Sequence, residues 1–149
     1  LAMDTMRMET GYLHWGHDIS PEENQYQSGL QFAISYKKNI DFIGKESLLK
    51  IKEKKIIKKL IMLTLNDSKP GEPLLLHDEP IYKGDEIIGR TTSGNFSFNY
   101  NKNLAFGYIN TGLSKQELLK ENLFIEVEKK KYPASIILKP LNAKNIRSN

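Results

Sequence analysis

Near the start of the chain, RMETGYLHWGHD sets Arg7, Glu9, His14, His17 and Asp18 around a lone tryptophan, Trp15. Imidazoles beside a carboxylate raise the question of a metal centre. Zinc hydrolases place two histidines four apart on one helix face, with a glutamate between them. Here the histidines are three apart, Gly16 interrupts them, and the third histidine, His77, is distant in sequence. The chain contains no cysteine, which removes thiolate zinc sites, disulfides and cysteine nucleophiles together. We therefore expect no metal site.

Serine chemistry fares no better. Ser93 precedes Gly94 in TTSGNFS, but the first glycine of a G-x-S-x-G elbow is missing. Thr91 to Gly94 reads instead as a strand end leading into a turn. No G-x-G-x-x-G or Walker pattern offers a phosphate loop. Glu9 is the more informative group. A carboxylate at a helix end, near Tyr12, Trp15 and Tyr26, can accept two parallel hydrogen bonds from a flat heterocycle while aromatic rings cover its face. The plainer alternative is a surface ion pair with Arg7 or a lysine.

The elements that must position these groups follow from periodicity and turn residues. LAMDTMRME has helical spacing at Leu1, Ala2, Met6 and Glu9, and Thr10-Gly11 ends it, glycine being the usual residue past a helix terminus. Because it opens in mid-helix, we read the chain as the C-terminal portion of a longer protein. The glycine-rich segment from Gly11 to Gly29 is expected to be a long ordered loop. LQFAISY (30–36) alternates apolar and small or polar residues and predicts a strand; Gly44 then introduces a short helix through Leu48 and Leu49. From Ile56 onward the pattern becomes β: KKLIMLTL, EPIYKG, DEIIGRTTSG, LAFGYIN, LFIEVEKKK and YPASIILKP, divided by turns. Lys83-Gly84-Asp85 predicts a hairpin. Ser114 and Glu117 stand in capping-box spacing at the head of one short helix. A boundary near Lys54 divides residues 1–54, the end of a mixed domain, from residues 55–149, a small β domain. The expected fold class is α+β, mostly antiparallel β, with a barrel or sandwich at the C-terminal end.

Composition limits the partners. Hydrophobic residues make up 39% and charged residues 27%, as in a folded protein rather than a disordered one. The net charge is +4, yet 19 of the 22 basic residues are lysine and only three are arginine. Base-edge recognition favours arginine's planar fork, so KIKEKKIIKKL is read as a solvated lysine face and not as a nucleic-acid site. No apolar run reaches membrane-spanning length and no signal segment is visible, so we expect a cytoplasmic protein without a membrane partner.

Three segments together resemble the aminomethyltransferase family, that is, the glycine cleavage T-protein and the C-terminal halves of dimethylglycine and sarcosine dehydrogenases. MDTMRMETGYLHWGHD resembles the family's L-R-x-E-x-G-x-x-x-x-G-x-D pattern, with Met6 where leucine is usual. DFIGKESL resembles D-F-x-G-[KR]-x-[AS]-L. EPIYKGDEIIGRTTSGNFSFNYNKNLAFGY resembles G-E-P-[IV]-Y…G-x-x-T-S-G…A-[FL]-G-Y, with Asp78 in place of the first glycine. The resemblance covers nearly the whole chain in order. It implies the end of a folate-binding domain followed by a Greek-key or jelly-roll-like barrel, and an enzyme that transfers a one-carbon group from an amine to tetrahydrofolate. It also implies that Glu9 binds the pterin ring and that Lys38, beside Lys37, lines the folate site; the aromatic cover expected from the neighbouring residues is then Tyr12 and Trp15. The family's catalytic aspartate has no match here, so no catalytic residue is assigned, Asp18 included, and the chain alone is expected to be inactive. Arg7 is expected to be structural or to orient Glu9, and His14 and His17 to be packing or loop-shaping groups around Trp15. The implied partners are the N-terminal remainder of the same protein and a lipoyl carrier protein. In the dehydrogenase branch, towards which HWGHD and YPASIILKPL point, an FAD domain lies upstream. A non-catalytic folate-binding or scaffold module of the same fold is the second reading. Exposed faces of Met3, Met6 and Met8 are expected to favour self-association.

Overall fold

In the computed structural model, which describes residues 2–34 and 42–141, six antiparallel strands close into a barrel. They are β1 (Lys58–Leu65), β2 (Pro80–Lys83), β3 (Glu86–Ser97), β4 (Lys102–Asn110), β5 (Leu123–Val127) and β6 (Lys130–Ile137). Their order around the barrel is β1-β4-β3-β2-β5-β6, and the β1–β6 pairing, Met62 opposite Ile137, closes it. The chain leaves β1, crosses over two positions to β2, and returns one strand at a time through β3 to β4. That is a Greek key, as the resemblance implied.

Strand β1 is buried on both faces, which explains its nearly unbroken apolar run. Ile61, Leu63 and Leu65 point into the barrel and meet Ile81, Ile109, Ile125 and Ile136. Leu60 and Met62 point outward and, with Leu104 and Phe106 of β4, pack under Met8. Met8 belongs to helix α1 (Ala2–Thr10), so this helix is an outer layer on the barrel, lying against β3 and β4. Of the three methionines expected to be exposed, Met3 and Met6 are and Met8 is not, because its helical phase turns it onto the barrel.

The end of α1 obeys its sequence. Gly11 N–H donates to Met8 O and Tyr12 N–H to Arg7 O, and Gly11 lies at φ +81°, so a left-handed glycine closes the last turn. Helix α2 (Lys45–Glu53) follows a left-handed Gly44 and buries none of its residues. Helix α3 (Lys115–Leu118) has the reciprocal Ser114/Glu117 capping box that its spacing predicted.

The predicted strand at Leu30–Tyr36 is not found within the described part of that segment. Gln31–Ala33 forms a single 3-10 turn, with Ala33 N–H on Leu30 O and Ile34 N–H on Gln31 O. Alternation makes a strand only where a partner edge accepts its N–H groups. Among the described residues none lies beside this segment, so its backbone bonds close locally.

Two turns bear on stability. Gly84-Asp85 joins β2 to β3 with Lys83 opposite Glu86, as its sequence predicted. The β5–β6 turn uses Glu128 and Lys129, both with positive φ, at +50° and +65°. Two successive left-handed residues form a type I′ pattern that Asn-Gly satisfies without strain. Exchanging the pair for Asn-Gly (Glu128→Asn with Lys129→Gly) is expected to raise the unfolding free energy by about 1 kcal/mol. An unchanged thermal midpoint would contradict this.

Candidate functional site

Helix α1 and the end of β3 build the site together. Glu9, on the last turn of α1, is only 1% exposed. Its carboxylate lies against the β3–β4 hairpin, where the Ser97 hydroxyl donates to Oε1 and the Asn99 amide donates to Oε2 at 3.0 Å. The Ser97 oxygen in turn accepts from Tyr100 N–H at 3.2 Å. An open cavity of about 380 Å³ lies at this seam, walled by Thr5, Met6 and Glu9 from the helix and Asn95, Phe98 and Asn99 from the barrel. Phe98 is 75% exposed at its mouth and makes an edge-on contact with the buried Phe96. The result is a carboxylate on the wall of a cavity with an apolar rim, suited to a flat ligand that carries paired N–H donors.

Glu9 is therefore buried and not at the surface, where the plainer alternative put it. Tyr12 and Trp15 are not on the walls of this cavity and are 60% and 69% exposed. Lys38 lies outside the described residues. The groups that local reading missed are Ser97, Phe98 and Asn99. Their one signal was the polar-aromatic SFN at the point where a long apolar alternation gives way to a turn.

A second constellation explains Arg7 and Asp18. Asp18 is fully buried, 0% exposed, and four donors converge on its carboxylate. Arg7 Nη1 and His14 N–H reach Oδ2, both at 2.8 Å, and the Thr92 and Ser93 hydroxyls reach Oδ1, both at 2.6 Å. A carboxylate has about four acceptor sites, so this one is fully committed. Arg7 Nη2 also donates to Ser93 Oγ at 3.0 Å, and Tyr108 Oη donates to the Asp18 carbonyl at 2.7 Å. Burial first, then the charges of Glu23 and Asp18, push the Tyr108 phenol well above its ordinary pKa, so it remains a donor. Arg7 is thus structural, and Asp18 pins the loop after α1 to strand β3.

Thr91 to Gly94 are not the end of a strand. They lie inside β3, where the register shifts between Thr91 and Ser93. This bulge inserts an extra residue and lets the adjacent Thr92 and Ser93 hydroxyls address the same oxygen, which strict alternation would forbid. A further anchor joins Lys58 Nζ to Glu23 Oε1 at 2.6 Å. Burial raises the Glu23 pKa, but the hydrogen bonds from Lys58 and Ser20 outweigh it and hold the carboxyl below its ordinary value.

His14 shapes the loop, its carbonyl accepting from the backbone N–H of His17, Asp18 and Ile19. The His14 and His17 rings lie 4.8 Å apart at 54°, and both line a cavity of about 220 Å³ together with His77, Arg7 and Ser93. Among the described residues no group of three or more histidine or acidic side chains is placed to hold a metal ion. No helix among them is long and apolar enough to cross a membrane.

With this geometry in hand, comparison with known proteins is specific. Residues 58–142 match the family model described as the glycine cleavage T-protein C-terminal barrel domain. The chain is 34% identical over 142 residues to the mitochondrial dimethylglycine dehydrogenase of Homo sapiens, covering 94% of this chain and 16% of that protein. It is 34% identical over 139 residues to the aminomethyltransferase of Listeria welshimeri, covering 93% of this chain and 36% of that protein. Mitochondrial sarcosine dehydrogenase of Mus musculus is 32% identical over 108 residues, 72% of this chain and 11% of that protein. The crystal structure of the glycine cleavage system aminomethyltransferase T of Bartonella henselae superimposes with a TM-score of 0.79 at 22% identity, over 94% of this chain and 38% of that one. The chain thus spans only a part of each of these relatives.

Proposed function

Because the chain belongs to the glycine cleavage T-protein C-terminal barrel family, we propose that it is the C-terminal part of a tetrahydrofolate-dependent aminomethyltransferase, in which Glu9 binds the pterin ring. The observation that carries this reading is the Glu9 carboxylate, buried and bonded on both oxygens, on the wall of a cavity rimmed by Met6 and Phe98. A pterin presents a ring N–H beside an exocyclic amine, and a carboxylate matches that pair much as it matches a guanidinium. Apolar rim residues cover the ring face and exclude water, which strengthens the charge-assisted bonds. Lys38 supplies a cation toward the rest of the folate.

On its own, the chain binds rather than turns over. One-carbon transfer from an amine needs a group that stabilises the developing cation or handles the proton. The acceptor sites of Asp18 are all taken, and Glu9 is the only acidic residue on the walls of its cavity among the described residues. The acid comes from the preceding part of the protein, and the dimethylglycine and sarcosine dehydrogenases among the relatives favour an amine donor processed by an upstream flavin domain. A lipoyl carrier protein takes that place in the T-protein branch.

Calorimetric titration of the chain with tetrahydrofolate tests the proposal. Saturable binding is expected, weakened roughly 30-fold in Glu9→Gln, which keeps the shape and removes the charge-assisted pair. Equal affinity in the two proteins would refute the role of Glu9, and no binding by the parent chain would refute folate recognition by this chain.

A further inference from the structure

The carboxylate expected to face the ligand belongs to the helix, but Ser97 and Asn99, which donate to its two oxygens, belong to the barrel. We infer that Ser97 and Asn99 are positioning residues for folate, fixing the plane and direction of the Glu9 carboxylate. The β3–β4 hairpin is then a working part of the site and not only its support. The inference rests on the folate reading of Glu9.

The direction of each bond supports it. Ser97 ends β3 and is fully buried, and its oxygen accepts from Tyr100 N–H. With that acceptor direction filled by a fixed backbone donor, the hydroxyl proton is aimed at Glu9 Oε1. Asn99, two residues on, sends its amide to Oε2. A barrel donor to each oxygen restrains rotation about the last side-chain bond, the torsion that staggered rotamers leave broad. A bidentate contact tolerates little misorientation, so a carboxylate fixed in advance binds more tightly than one that must be ordered on binding.

One further link ties β3 to the helix: Thr5 Oγ1 donates to Phe96 O at 3.4 Å. Phe98 stands between the two anchoring residues and projects to the cavity mouth. The same short loop thus aims the carboxylate and supplies the exposed aromatic ring beside it.

Tetrahydrofolate affinity and thermal midpoint would be measured for the parent chain and for Ser97→Ala, Asn99→Ala and Asn99→Asp. Asn99 is exposed on the hairpin, so its two variants keep the fold even if Ser97→Ala does not. Ser97→Ala is expected to weaken binding roughly tenfold and Asn99→Ala roughly fivefold. Asn99→Asp, nearly the same shape but a negative charge in place of the donor, is expected to weaken it more than Asn99→Ala, whose midpoint is expected to stay near that of the parent. A purely structural role would not produce that order. Parent-like affinity in both Asn99 variants, with the parent binding normally, overturns the inference and leaves the folate reading standing. Absence of binding by the parent chain overturns both.

Discussion

Asp18→Asn is expected to lower the unfolding free energy by about 3–5 kcal/mol, the range for removing one partner of a buried ion pair. That is a large share of the stability of an ordinary domain. The substitution keeps the shape but replaces one acceptor oxygen by a donor. If the amide nitrogen faces Arg7 and His14 N–H, donors meet donors; if it faces Thr92 and Ser93, both hydroxyls lose their acceptor. In either orientation the partly buried Arg7 loses its close counter-ion, since Asp4 lies at 3.5 Å and is half exposed. Urea denaturation followed by circular dichroism measures the effect, and an unchanged midpoint would refute it. The cycle with Arg7→Met should show coupling of about 1–3 kcal/mol, because in the double variant no guanidinium is left without its carboxylate.

Gly89→Ala is expected to destabilise the barrel by about 3 kcal/mol, at the upper end for overpacking. A β-carbon at Gly89 would stand 2.0 Å from the Tyr108 carbonyl oxygen and 2.8 Å from Ile109 Cα. Both atoms are backbone of β4, paired with β3 at this point, so no flexible side chain can move aside. Relief requires the two strands to separate where Gly89 is also paired across to Ile81 of β2. Gly112→Ala provides the control, because its β-carbon would meet only the end of the Lys55 side chain, at 3.1 Å. Thermal melts should separate the two variants clearly, and equal midpoints would show that the strands adjust freely.

These two residues mark what local sequence could and could not reveal. Ile81, Ile109, Ile125 and Ile136 fall in short alternating runs divided by turn residues, so the strands that carry them were legible from period and punctuation alone. Ser114 and Glu117 announced their helix for the same reason, a bond between close neighbours. Asp18 could not be read that way. Its hydroxyl partners lie more than seventy positions away, and they share one oxygen only because of a bulge that no local pattern signals. Within the described part of LQFAISY, residues 30–34, the reading failed for the converse reason, since alternation states a preference and a neighbouring strand must fulfil it. At the candidate site Glu9 was found through a motif, whereas Ser97, Phe98 and Asn99 required the fold that lays the β3–β4 hairpin against α1. Asp78, the residue in place of the family pattern's glycine, lies at φ +63°, so the backbone keeps the glycine-like conformation although the side chain differs.

The order of strands around the barrel also has a consequence for how the protein is made. Strand β1 leaves the ribosome first among the six, yet its neighbours are β4 and β6, and its closing partner Ile137 ends the last strand. Until those arrive, a strand apolar on both faces waits with both edges unsatisfied, the situation in which chains are prone to aggregate. Lys58 and Lys59 at its head put two positive charges beside that run, where gatekeeper residues act against association. Folding is accordingly governed by late, long-range pairing, and the barrel belongs with slow β topologies. In the living cell, the vulnerable interval of this protein lies between the synthesis of β1 and the synthesis of β6.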